Sequence, residues 1–182
     1  MQTALLVIER EGLAALSLRE LARQVGVSHA APIHHFGDKA GLLTAIATEG
    51  FLLLADELRR TYAQTGSFLE VGVAYVRFAV CHRASFEVMF RPELYHADDP
   101  PLEAARQQAR ELLYGPLAER GRAAAEVDTG HAGLAAWSLV HGLATLLLTG
   151  NLPLEASRDP EALTRSVAGY LFPPAAGRRR AR

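Results

Sequence analysis

From Thr129 to Leu154 the chain carries no charged residue. A helix built from such a run is apolar on every side. It either crosses a bilayer, for which the run is long enough, or is covered twice, by the core of its own subunit and by a partner. His131, Trp137, Ser138, His141, Thr145, Asn151 and four glycines interrupt the run, and no second stretch of the chain is like it. The double cover is the reading adopted: a soluble protein with no membrane partner, burying one helix between subunits.

Composition supports a packed core. Hydrophobic residues make up 49% of the 182 and charged residues 21%, which excludes a disordered chain. Cys81 is the single cysteine, so an intrachain disulfide and a cysteine-based zinc site are excluded, and a lone thiol of this kind is expected buried and inert. The opening MQTALLVIER has no basic stretch ahead of an apolar run and so is not a secretory signal. A cytoplasmic location is the default. The formal charge of −1 shows no overall field for polyanions.

Strand signals are nearly absent, and glycine, proline and capping residues cut the chain into about nine helices. The expected helices run over 2–10, 18–25, 28–36, 39–64, 68–82, a short one before Pro92, 100–120, 130–149 and from Pro160 to Pro173-Pro174. Ser17-Leu18-Arg19-Glu20 reads as a capping box, Asp38 and Asp99 as N-caps, and Pro32 falls in a first turn, where a missing amide costs little. The fold class is all-α: an N-terminal three-helix domain over 1–45, a helical bundle over 46–174, and a basic disordered tail over 175–182. Four arginines in Gly177–Arg182 leave a nucleic-acid-binding arm as the other reading of that tail.

The informative piece is Ser17 to Leu43. A capped helix, the turn Gly26-Val27 and a second helix from Ser28 form a helix-turn-helix. Leu18, Leu21, Ala22 and Val25 share one face, Val27 plugs the turn, and Ile33 and Phe36 close the small core. Ser28, His29, Ala30 and Ala31 then stay outside. Small residues there permit close approach to base edges, and Ser28 can bond a phosphate while capping the helix. Lys39 opens the next helix, where its charge and the free amides suit a second phosphate.

EGLAALSLRELARQVGVSHAAPIHHFGDKAGLL resembles the N-terminal domain of the TetR transcriptional regulators, through the serine-x-arginine-glutamate-leucine-alanine box, Gly-Val-Ser, the His-Phe pair before a turn, and Asp-Lys-x-x-Leu-Leu. Trp137, His141 and Gly142 look like the Trp-His-Gly type of ligand-binding domain found in one branch. The resemblance implies a homodimer whose recognition helices enter successive major grooves of double-stranded operator DNA. It also implies a small-molecule effector that changes their spacing. Base-proximal positions then fall on His29, Ala30 and Ala31, phosphate positions on Ser28, His34 and Lys39, with Ser17 and Arg19 near the backbone. Ile33 stands where the family usually has tyrosine. The basic lead-in common before the first helix is missing, and residues 1–50 hold four basic against five acidic residues, so weak non-specific DNA binding is expected. An earlier start of translation would account for both of the last two features.

Helical spacing supplies the remaining candidates. Tyr75, Phe78 and His82, then Phe86, Met89 and Phe90, and Tyr114 with Trp137 and His141 are the candidate lining of an effector site, with plain core packing as the alternative. Polar tips among aromatics point to a small apolar or aromatic effector. Leu134, Leu139, Leu143, Leu146 and Leu147 on the uncharged helix, with Leu163, Val167, Tyr170 and Leu171 on the last, are the candidate dimer interface, a four-helix arrangement about a twofold axis. His34 and His35 diverge on a helix and Cys81 and His82 do likewise, so neither a metal site nor a catalytic pair is expected, and no cofactor is called for. Gly26-Val27-Ser28 lacks the second glycine and the preceding strand of a nucleophile elbow, which argues against an enzyme. The functional expectation is a ligand-responsive repressor, the alternative being a helical ligand- or protein-binding module that has lost DNA binding.

Overall fold

Glycines and prolines punctuate the chain where the sequence places them. The computed structural model describes residues 1–123 and 129–171, and side chains over 1–114 and 131–170. Among the described residues there are nine α-helices, three short 3-10 turns and no strand: α1 Gln2–Glu11, α2 Leu18–Val25, α3 Ala30–Phe36, α4 Lys39–Thr65, α5 Phe68–Cys81, α6 Arg83–Met89, α7 Pro100–Ala123, α8 Thr129–Leu148 and α9 Pro160–Leu171. The tail expected at 175–182 lies outside the described residues. Two units divide the chain, Met1–Asp56 with Cys81–Leu112, and Glu57–Val80 with Leu113–Arg182.

In the first unit α4 is the central support. Leu43, Ile46, Ala47, Phe51 and Leu54 recur at helical spacing and are buried. Ala4, Val7 and Ile8 of α1 and Phe86, Val88 and Met89 of α6 are buried too. Gly50 is required where it stands, because a Cβ there would lie 2.6 Å from the Met89 sulfur. Tyr95 is buried with its hydroxyl donating to the Met89 carbonyl at 2.9 Å. The Arg106 guanidinium donates to that hydroxyl at 3.2 Å and lies 5.7 Å from the centre of the Phe51 ring. Asp99 caps α7 through the Leu102 amide at 3.0 Å.

The helix-turn-helix forms with several differences from its sequence reading. Gly26 takes the left-handed conformation (φ 72°), its amide bonds the Arg23 carbonyl at 3.3 Å and the Val27 amide bonds Ala22 at 3.0 Å, the paired bonds of a Schellman stop. Ser17 sits at the N-cap of α2 but makes no side-chain capping bond, so the expected capping box does not form. Glu20 bonds the Arg23 guanidinium at 2.9 and 2.6 Å and Gln24 at 3.0 Å, and a two-point charged pair outcompetes a lone backbone amide. α3 begins at Ala30, not at Ser28, with His29 in the cap position. A helix capped by Ser28 would need a Pro32 amide for its first bond, and proline has none; the Ala31 amide takes the Ser28 carbonyl in a turn instead, at 3.0 Å.

Of the small core expected there, Leu21 and Ala22 are buried, but Val25, Val27 and Ile33 do not join it. These three are exposed, Phe36 is half-buried, and α3 has no buried residue. Cys81, expected in the core, is exposed at the end of α5, outside the stripe from Val71 to Ala79 that buries the helix.

In the second unit α5 is the buried centre, with Val71, Ala74, Tyr75, Val76 and Phe78 almost fully enclosed. Two glycines lie close to neighbouring helices: a Cβ at Gly133 would sit 2.8 Å from the Tyr114 ring and force a shift, while one at Gly72 would press on Val140 at 3.2 Å. An ion chain runs Glu57–Arg77–Glu161–Arg165–Glu70, with closest contacts between 2.6 and 3.3 Å, and links α4, α5 and α9 within this unit. Its members are a third or more exposed for the most part, so each link contributes about 0–1 kcal/mol.

Candidate functional site

The exposed surface of α2, the turn and α3 gathers seven of the eight residues expected to meet DNA. Ser17, Arg19, Ser28, His29, Ala30, Ala31 and His34 are all exposed. Lys39 is half-buried, and its ammonium donates to the Leu13 carbonyl at 3.2 Å, so one of its three donors already fastens the turn after α1 to α4. Arg23 is held by Glu20, whose carboxyl that guanidinium keeps at about 2. Asp38 caps α4 by accepting the Gly41 amide at 2.7 Å, and this bond first, then the neighbouring His96, holds its carboxyl below the usual range. A side chain at Gly41 would collide with the Phe36 carbonyl, which fixes how α3 meets α4.

In the core of the second unit a polar group stands among aromatics. The Tyr75 hydroxyl, fully enclosed, lies 2.9 Å from His141 Nδ1 and accepts from the Trp137 indole N–H at 3.3 Å. In the neutral Nε2–H tautomer of His141 the tyrosine donates to Nδ1, and indole, phenol and imidazole form one relay. Burial pushes the Tyr75 phenol up and the His141 imidazole down, so both stay neutral near pH 7. Tyr114 packs edge-on against Trp137 with ring centres 6.3 Å apart. Beside this relay lies an apolar cavity of about 20 Å³ bounded by Phe68, Leu69, Gly72, Trp137, Leu139 and Val140. It holds about one water, whereas organic effectors occupy about 300–1,000 Å³, so a ligand entering here has to part these helices.

Comparison with known families places both regions. Residues 1–46 match the family model of bacterial regulatory proteins of the tetR family, and residues 68–170 match the tetracyclin repressor-like C-terminal domain. The chain belongs to the TetR family. No functionally curated protein matches it. Among solved structures, a Rhodococcus sp. RHA1 protein of unknown function is similar at 32% identity and TM-score 0.78, over 94% of this chain and 90% of that one. A regulatory protein in the tetR family from Rhodococcus RHA1 shares the fold at 23% identity and TM-score 0.73, over 94% and 92%. So does the TetR family transcriptional regulator PfmR from Thermus thermophilus, at 22% and 0.69, over 93% and 94%.

In this TetR-family chain the nine residues expected around an effector fall into both units. Tyr75, Phe78, Tyr114, Trp137 and His141 belong to the second, and four of the five are joined by the contacts above. Phe86, Met89 and Phe90 belong to the first, where Phe90 packs against Phe51 and Phe86 with ring centres 5.7 and 4.8 Å apart, and His82 is exposed at the start of α6. Spacing missed Phe68, Leu69 and Gly72, whose i, i+1, i+4 pattern on α5 was the available signal. An open groove of about 570 Å³ in the first unit was also missed, being bounded by Phe36, Thr44, Thr48, Glu49, Leu52 and His96 from segments far apart in sequence.

The uncharged helix of this TetR protein is α8, and it is apolar on two faces. Ala136, Val140, Leu143 and Ala144 are buried within the unit, while Leu134 and Leu146 are 48% and 42% exposed. Only 28% of His131–Leu148 is buried, although this is the stretch long and apolar enough for a membrane span. Leu139 and Leu147, and Leu163 and Val167 on α9, are half-buried, and Tyr170 is exposed. The Leu171 side chain lies outside the described residues.

Proposed function

We propose that this TetR-family chain is a dimeric, cytoplasmic repressor that holds operator DNA through α2 and α3 and releases it when a small apolar or aromatic effector enters the second unit. Residues 1–45 serve as the DNA-binding segment and 46–174 as the effector and dimerisation segment. The observation that carries the reading is α3, a helix with no buried residue that follows α2 across the left-handed turn at Gly26. A folded domain leaves a helix this exposed when another surface is to cover it.

In the free dimer the two recognition helices stand about 34–36 Å apart, one turn of B-DNA. An effector of several hundred cubic ångströms forces α5 and α8 apart at Gly72 and Val140 and reorganises the Tyr75–His141–Trp137 relay. α4 begins at the helix-turn-helix and ends in the second unit, so the same continuous helix serves both ends of the response. A coupling of about 1–3 kcal/mol changes operator affinity some 5–150-fold.

The deciding experiment is fluorescence anisotropy with a duplex from the gene's own upstream region against a scrambled duplex, at two salt concentrations. Preferential, salt-dependent binding supports the repressor. Equal and weak binding to both favours a second reading, a helical ligand- or protein-binding module without DNA binding. That alternative draws on the engagement of Arg23 and Lys39 within the protein. Ser28→Ala and Lys39→Ala separate the two, since a repressor loses operator affinity while retaining effector binding.

A further inference from the structure

We propose that α3 reads its operator mainly through the C5-methyl groups of thymine, with Ile33 as the residue that selects them, resting on the DNA-binding role just proposed. His29, Ala30, Ile33 and His34 recur at three- and four-residue spacing and share one exposed face. Ile33 stands at its centre, 56% exposed, and it is the largest apolar side chain there. Its methyl groups are free to meet an apolar surface in the complex, where their burial would be favourable.

Major-groove chemistry leaves one such surface. Guanine is selected by arginine or lysine, adenine by asparagine or glutamine, and cytosine by a carboxylate. From Ser28 to Phe36 the chain has none of these residues. Arg19 and Arg23 lie on α2, and Arg23 is bonded to Glu20. Ala30, Ala31 and Ile33 offer only methyl and methylene groups, and the thymine methyl is the apolar feature of a base edge that such groups can discriminate. His29 and His34, each with one donor and one acceptor in the neutral form, supply the remaining polar contacts without the two-point geometry that fixes a purine.

The test starts from a randomised duplex library, from which the full-length chain selects its preferred sequence. Each thymine of the selected half-sites is then replaced singly by deoxyuracil, which removes the methyl and nothing else, and affinity is read by anisotropy. The expected result is a loss of about fourfold at each contacted thymine, the value of one buried methyl, and about sixteenfold when both half-sites are changed. Ile33→Ala should bind the thymine duplex more weakly and become indifferent to the thymine-to-deoxyuracil change. Because Ile33 is exposed, an unchanged melting curve shows that this loss is not one of folding. Selection of a sequence whose affinity is unaffected by every deoxyuracil substitution overturns the methyl readout and leaves the DNA-binding role standing. Failure to enrich any sequence overturns that role, and the readout with it.

Discussion

The Tyr75 hydroxyl and the Arg23 guanidinium show how little a contact's chemistry says without its burial. Tyr75→Phe removes the acceptor of the Trp137 N–H and the partner of His141 Nδ1 in an enclosed site. It should cost about 1–3 kcal/mol in urea denaturation, and a change within experimental error would refute the relay. His141 has its pKa lowered from the ordinary 6.5 by burial, so the unfolded chain binds its proton more readily. The sign follows: its contribution is complete above about pH 6.5 and is lost as pH falls toward the depressed folded value. His141→Gln should flatten that part of the stability profile. Arg23 and Glu20, by contrast, are exposed, and their pairing matters for DNA instead. Glu20→Gln removes a negative charge and releases Arg23, so non-specific DNA affinity should rise and the salt slope should steepen by about one.

At the scale of elements, starts and stops follow from local chemistry. Gly26 ends α2 because φ 72° admits glycine and penalises any Cβ, and Gly26→Ala should destabilise the chain by about 1–2 kcal/mol in thermal melts. Should the variant melt with the wild type, the stop would owe little to its conformation. α3 is short because Pro32 removes the amide that an earlier start would need. α8 is uncharged because one face is buried on its own unit and the other presents Leu134 and Leu146. The same composition that satisfies a membrane-span criterion therefore belongs, in a TetR fold, to a helix with one buried and one exposed apolar face.

For the whole molecule, the prediction that matters is association. Leu134→Glu together with Leu146→Glu places charges on the exposed face of α8, where desolvating an unpaired carboxylate opposes contact. Sedimentation should find wild-type dimers and variant monomers at micromolar concentration, with operator affinity lost in parallel. A variant that stays dimeric would move the interface elsewhere. The 20 Å³ cavity belongs to this scale too. Under the proposed response, an effector entering beside α5 and α8 changes their spacing, and a ligand that fits without doing so should leave operator affinity unchanged in anisotropy.

Helix number and type, the turn glycines, the Asp38 and Asp99 caps and the helix-turn-helix were legible in the sequence, because each depends on neighbours within a few residues. The family was legible for the same reason: its motif is local and its spacings are fixed. Tertiary structure alone decided the rest. Glu20 had three polar partners within reach, and only folded geometry chose Arg23 and Gln24 over the helix cap. Val25, Val27, Ile33 and Cys81 are apolar by type, yet burial depends on what lies opposite, which periodicity does not encode. The aromatic stripes of α5, α6 and α8 looked alike in sequence, but Tyr75, Trp137 and His141 converged in one unit while Phe86, Met89 and Phe90 packed in the other. A side chain's type and its place on a helix are properties of the nearby chain; its partner across the core is a property of the fold.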